Sequence, residues 1–185
     1  MTLIRAMRNA RVQNGWSLRK AAAKSGLAAP NLSAIETGRR GATVGTLERV
    51  AESLGLVFVP VQSGGRATVA DAVESIRGQD DSTAYRVLIQ VADDLSAVEP
   101  FVRALLAAER PAAVSPRWDA AVAGIVEWRL AAVGLPSPAW VVETAGDVGW
   151  RWVPSSGPLP VRTDRVPAPL LRRGVLLEAD ELVSV

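Results

Sequence analysis

The chain is 185 residues long and 49% hydrophobic, enough for one domain or two small ones. It has no cysteine and no histidine, which excludes disulfides, thiolate metal sites and the commonest general base. The net charge of +2 conceals a division: residues 1–62 carry nine Arg and Lys against three Glu, a balance of +6, and residues 63–185 carry 12 Arg against 16 Asp and Glu, a balance of −4. A surface that faces phosphate belongs in the first part. No apolar run reaches about 18 residues, so a membrane-spanning helix is not expected. The start, MTLIRAMRNARVQ, lacks the apolar core of a signal peptide, and a cytoplasmic location is expected.

The first helix is predicted over Leu3–Gln13, with Leu3, Ile4, Met7 and Val12 packing inward and Arg8 and Arg11 on the other side. Asn14-Gly15 breaks it. Ser17 is a good N-cap for a second helix, whose Leu18, Ala21 and Ala22 fall at i, i+3, i+4. Gly26 supplies the left-handed residue that stops it. A third helix follows over about 29–37, with Leu32 and Ile35 inward and Asn31, Ser33, Ala34 and Thr37 outward. Gly38 ends it, and Arg39 and Arg40 come next. Two short helices around a tight turn, the second leaving through a basic loop, make the pattern of a helix-turn-helix whose second helix enters the major groove. Thr43 caps a fourth helix with Leu47, Val50, Ala51 and Leu54 at core spacing, closed by Gly55.

Leu56–Val61 is short, β-branched and bounded by glycines, so it reads as a strand, with Pro60 confining it to an edge or an end. Pairing Val57–Val61 with the same strand of a second copy would make a homodimer; pairing with a strand of the C-terminal part is the alternative. Residues 62–67, containing Ser63-Gly64-Gly65, are the linker. Residues 68–185 begin with helices: Thr68 to about Arg77, Ser82 to about Val98, Pro100 to about Arg110, and Ser115-Pro116 to about Val133. The last of these presents Trp118, Val122, Ile125, Val126 and Arg129-Leu130 as one apolar stripe. Beyond Gly134, Trp140-Val141-Val142, Trp150–Val153 and Val175-Leu176-Leu177 read as short strands. Leu170–Gly174 and Asp180–Leu182 read as single turns, and Pro158, Pro160, Pro167 and Pro169 keep the tail irregular. The expected fold is mainly α: a helix-turn-helix domain of four to five helices over residues 1–61 with a terminal β-strand at 56–61. An α+β domain over 68–185 follows, with a helical first half and short strands.

Arg11 to Leu56 resembles the Xre-type (lambda-repressor and Cro-like) helix-turn-helix family. The matching pieces are G-W-S opening the second helix, A-A near its middle, G-L at the turn, L-S-A-I-E-T-G-R-R through the third helix and its exit, and T-L-E-R-V-A-E-S-L-G-L in the fourth. The resemblance implies that Arg11 pairs with Glu36 to orient the recognition helix. Asn31 and Ser33 would offer hydrogen bonds to base edges, and Ala29, Pro30 and Ala34 apolar contact with thymine methyls. Arg19, Arg39 and Arg40 would bind phosphate or reach the minor groove. Thr37 faces the duplex, and the helix starts at Ser17 and Thr43 present amides to phosphate. The chain departs from the family at Leu18, Ala28, Ala29 and Pro30, where polar side chains are usual, which shifts weight to shape and backbone readout. Some antitoxins of the family carry a strand after the fourth helix. Further on, E-W-R-L, G-L-P-S-P-A-W-V and L-L-R-R-G-V-L-L-E-A-D-E-L resemble C-terminal regions of actinobacterial helix-turn-helix proteins encoded beside nucleotidyltransferase-like toxins.

The two lysines, Lys20 and Lys24, both lie in the helix-turn-helix. Residues 63–185 therefore cannot host a Ser-Lys dyad, a Schiff-base lysine or a P-loop lysine. Asp80-Asp81 and Asp93-Asp94 are read as solvated acids near helix ends rather than a metal site, and Trp118, Trp128, Trp140, Trp150 and Trp152 as core. No cofactor, metal or catalytic residue is expected, and the chain is not read as an enzyme. The expected partners are double-stranded DNA of its own promoter, a second copy, and a toxin held by residues 68–185; no membrane is expected. The alternative is a stand-alone repressor whose second domain binds a small ligand in a Trp-lined pocket.

Overall fold

A computed structural model describes residues 3–144, 149–154 and 160–183. The chain divides into two compact units, Met1–Val61 and Gln62–Val185.

The described residues of the first unit form α1 Leu3–Gln13, α2 Leu18–Ser25, α3 Ala29–Glu36 and α4 Val44–Ser53. Their ends follow local chemistry. Ser17 Oγ accepts from the Lys20 amide at 3.2 Å and Thr43 Oγ1 from the Thr46 amide at 3.3 Å. Gly26 terminates α2 at φ 69°, where a Cβ would be strained. α2 packs on both α3 and α4, and α1 also meets α3 and α4. Met7, Ala21, Ala22, Leu32, Ile35, Val50, Ala51 and Leu54 are buried between them. Val12, expected inside, is 61% exposed. Asn14 Nδ2 donates to the Leu54 carbonyl at 3.2 Å, tying the first loop to the end of α4.

The expected strand at 56–61 does not form. Leu56 and Phe58 pack against the helical core while Val57 and Val59 point to solvent. The alternation that suggests a strand is used to lay an extended segment on helices, and a lone segment has no ladder to join.

The second unit comprises α5 Val69–Glu74, α6 Asp81–Ser96, α7 Pro100–Ala107, α8 Pro116–Ala131, α9 Ala139–Glu143 and α10 Ala168–Leu171, with 3₁₀ turns at Thr163–Arg165 and Ala179–Leu182. α8 is its axis. Rather than one apolar stripe it buries every residue from Ala120 to Val126, together with Trp118, Arg129 and Leu130. α6, α7, α9 and α10 all pack on it. The closest approach is at Gly124, where a Cβ would lie 2.5 Å from a Leu170 methyl. α6 is capped by Asp80, not Ser82, through the Thr83 amide at 2.8 Å. α5 ends at Glu74, short of Arg77.

The strands expected in this unit are also absent: among the described residues there is no β-strand. Trp140-Val141-Val142 lies in α9, started by the extended Pro138. Trp140 is buried, and its indole N–H donates to the Ala107 carbonyl at 2.9 Å, so tertiary contact outweighs β-propensity. Trp152 and Val175 form one isolated parallel bridge, with Trp152 donating to Gly174 O and Leu176 to Trp152 O, both at 2.8 Å. Pro158 lies outside the described residues.

Arg103, Arg129 and Arg173 are buried in this unit, which composition does not announce. Arg103 donates to the carbonyls of Arg129, Ser96 and Val98. Arg129 donates to Leu182 O at 2.7 Å, and burial pushes its pKa down. Arg173 donates to the carbonyls of Thr144, Pro169 and Val141 and pairs with Glu127 at 2.6 Å. For Arg103 and Arg173 several carbonyls replace the water given up; Arg129 has one, and its guanidinium lies 4.1 Å from the Trp128 ring centre.

Candidate nucleic-acid interface

The first unit turns one face of α3 outward. Leu32 and Ile35 fix the helix from beneath, at 0% and 3% exposure. Pro30 and Thr37 are exposed, and Ala29, Asn31, Ser33 and Ala34 are half-buried. Ala28 makes no side-chain cap, so this helix start lacks the hydroxyl that closes α2 and α4. Thr37 Oγ1 donates to the Ser33 carbonyl at 2.8 Å and accepts from Arg39 Nε at 3.0 Å. Arg40 returns to the helix: its amide donates to Ala34 O at 3.1 Å and its Nη1 to Asn31 Oδ1 at 2.8 Å.

Behind this face the helix is braced. Arg11 Nε and Nη2 donate to the two Glu36 oxygens at 2.7 and 2.8 Å, and Nη1 donates to Trp16 O at 2.9 Å. One guanidinium therefore joins α1, the entry to α2 and the end of α3. Its hydrogen bond to Glu36 raises the Arg11 pKa.

Other groups of the unit are suited to phosphate. Arg19, Arg39 and Arg40 are exposed. The cap at Ser17 takes the Lys20 amide, which leaves those of Leu18 and Arg19 without a carbonyl one turn back; the start of α4 after Thr43 repeats the arrangement. Lys20 and Lys24 stand 5.0 and 5.7 Å from the Trp16 ring centre. That stack was not read from the sequence, although the i, i+4 spacing of positions 16, 20 and 24 carries the signal.

Residues 7–57 match the family model described as Helix-turn-helix. The first unit is a helix-turn-helix domain. It is a DNA-binding domain of transcription regulators, of the Xre or lambda-repressor-like kind. No curated protein and no solved structure matches the chain.

A cavity of about 510 Å³ in the second unit is lined by Val73, Val122 and Trp140 among others. Arg110 and Glu143 pair across its rim at 3.0 Å. Of the tryptophans expected in the core, Trp118 and Trp140 are buried, and Trp118 meets Trp152 edge-on at 4.7 Å. Asp80 caps α6, and Asp94 accepts from Gln90 and faces Arg66 at 3.6 Å. Among the described residues no cluster of three or more His, Cys, Asp or Glu is placed to hold a metal ion, and no helix is long and apolar enough to cross a membrane.

Proposed function

We propose that the helix-turn-helix domain binds the promoter of its own operon as a repressor, and that the acidic second unit holds a protein partner, as the antitoxin of a toxin–antitoxin pair. The observation that carries the DNA reading is the outward face of α3, braced by Arg11–Glu36 and flanked by two hydroxyl-capped helix starts. Asn31 and Ser33 are its base readers, Ala29, Pro30 and Ala34 its apolar contacts, and Arg19 and Arg39 its phosphate contacts. The protein acts as two copies, since one such domain reads only a half-site. What supports a partner is the charge of the second unit, its lack of His, Cys and Lys, and the exposure of Phe101 and Leu105 one turn apart on α7.

Fluorescence anisotropy on promoter DNA tests the first half. Affinity about a thousandfold or more above that for scrambled duplex is expected at physiological salt; equal affinities would remove the reading. Capture from the native host with the full chain tests the second half, and one stoichiometric protein is the expected result. The cavity beneath Arg110–Glu143 favours a second reading, in which a small ligand controls a stand-alone repressor. Thermal stabilisation by a metabolite with no protein partner present would select it.

A further inference from the structure

Arg40 returns from the loop after α3 to touch Asn31 on the helix. A carboxamide has an accepting end and a donating end, and rotating it by half a turn exchanges them. Arginine has donors only, so the oxygen end of Asn31 must face it. Arg40 Nη1 does donate to Asn31 Oδ1, at 2.8 Å. The two residues are nine positions apart, joined because the loop after Gly38 folds back and the Arg40 amide donates to Ala34 O at 3.1 Å. Gly38 makes that return with φ 70°.

The consequence is a polarity. With Oδ1 held by Arg40, the two Nδ2 hydrogens of Asn31 are the groups it has left to donate. Together with the other N–H groups of the guanidinium they make the pair richer in donors than in free acceptors. Adenine shows the major groove one acceptor and one donor, and an Asn reads both only when its oxygen accepts from the base, which asks the Oδ1 held by Arg40 to accept a second time. Guanine shows two acceptors, N7 and O6, which a donor-rich pair fits. Resting on the DNA-binding reading above, we propose that Arg40 is a positioning residue for Asn31 and that the pair selects guanine. Arg40 then contributes to specificity instead of acting as one more phosphate clamp.

The test is selection from a randomised duplex library by the full chain, compared with Arg40→Met and Asn31→Ala. Arg40 is exposed and Asn31 half-buried, and the melting temperature of each variant is compared with the wild type before selection. The wild type should prefer guanine at one base pair of each half-site by about five- to a hundredfold. Arg40→Met frees the amide to rotate, and preference at that pair should move to adenine with the other positions unchanged. Asn31→Ala should flatten preference at the same pair. Retention of guanine by Arg40→Met, with affinity lowered equally for every sequence, would overturn the proposal and return Arg40 to phosphate. Selection of adenine there by the wild type would overturn it too. Failure of the wild type to select any sequence would instead remove the DNA reading itself, and this proposal with it.

Discussion

Arg11 and Glu36 face each other fork to fork, through hydrogen bonds of 2.7 and 2.8 Å, with side chains only 12% and 5% exposed. Two parallel bonds fix angle as well as distance. The pair therefore sets how α3 sits on α1, and so where the outward face points. Arg11→Ala would leave the Glu36 carboxylate, 5% exposed, without this partner. Unfolding in urea should show a loss of about 3–5 kcal/mol. Arg11→Lys, which cannot fork, should fall between variant and wild type. A loss below about 1 kcal/mol would place the pair with solvent-screened surface bridges and end this argument.

Gly124 lies in the middle of α8, where alanine ordinarily favours a helix by roughly 1 kcal/mol. Here the added Cβ would meet a Leu170 methyl at 2.5 Å and the Leu170 Cα at 3.3 Å. The side chain can turn away, but the backbone of α10 cannot without leaving α8. Overpacking should win, and Gly124→Ala should lower stability by about 1–3 kcal/mol. Equal or higher stability on thermal melting would mean that α10 is loosely held.

The helix-turn-helix was legible because its helix ends carry their own signals within four residues, the uncapped start of α3 at Ala28 excepted. Ser17, Gly26 and Thr43 need no distant partner to do their work. The expected strands failed for the opposite reason. Leu56–Val61 has strand periodicity, yet a strand exists only where another lies beside it, and helices receive Leu56 and Phe58 instead. Trp140 joins a helix because its indole finds Ala107 O, 33 positions away, which no local window contains. Buried Arg103, Arg129 and Arg173 were equally hidden, since arginine is ordinarily exposed and carbonyl partners leave no trace in composition. In α3, the inward pair Leu32 and Ile35 followed from helical period. The Arg40–Asn31 bond did not, because the chain reverses at Gly38 between them.

Tyr85 offers a direct optical test of the second unit, being the single tyrosine of the chain. Its hydroxyl donates to Glu181 Oε2 at 3.0 Å, which ties α6 to the C-terminal 3₁₀ turn. Burial first, then the hydrogen bond and charge of Glu181, push its pKa up to about 12. The fold thus favours the neutral phenol. Its contribution to stability is full below about pH 10, the unfolded value, and is lost as pH rises through the folded one. Phenolate absorbance should titrate with a midpoint near 12 in the native protein and near about 10 in denaturant. Glu181→Gln removes the nearby negative charge and should lower the native midpoint. A native midpoint equal to that in denaturant would show that the contact does not persist in solution.

Salt dependence separates phosphate contacts from everything else at the DNA interface. Each phosphate neutralised releases counterions, and the slope of log affinity against log salt changes by about 0.9 per contact on duplex DNA. Arg19 and Arg39 are exposed beside the start of α2 and the end of α3. Arg39 is steadied by Thr37, whose hydroxyl is itself bonded to α3. Replacing both with alanine should flatten the slope by about two while weakening all sequences alike. Arg110→Ala serves as the control. It removes one positive charge from the rim of the cavity in the second unit, where no phosphate contact is assigned, and should leave the slope unchanged. An unchanged slope in the Arg19 and Arg39 variant would move the phosphate contacts to the amides at the starts of α2 and α4. A change of similar size on replacing Arg110 would mean that the second unit also meets the duplex.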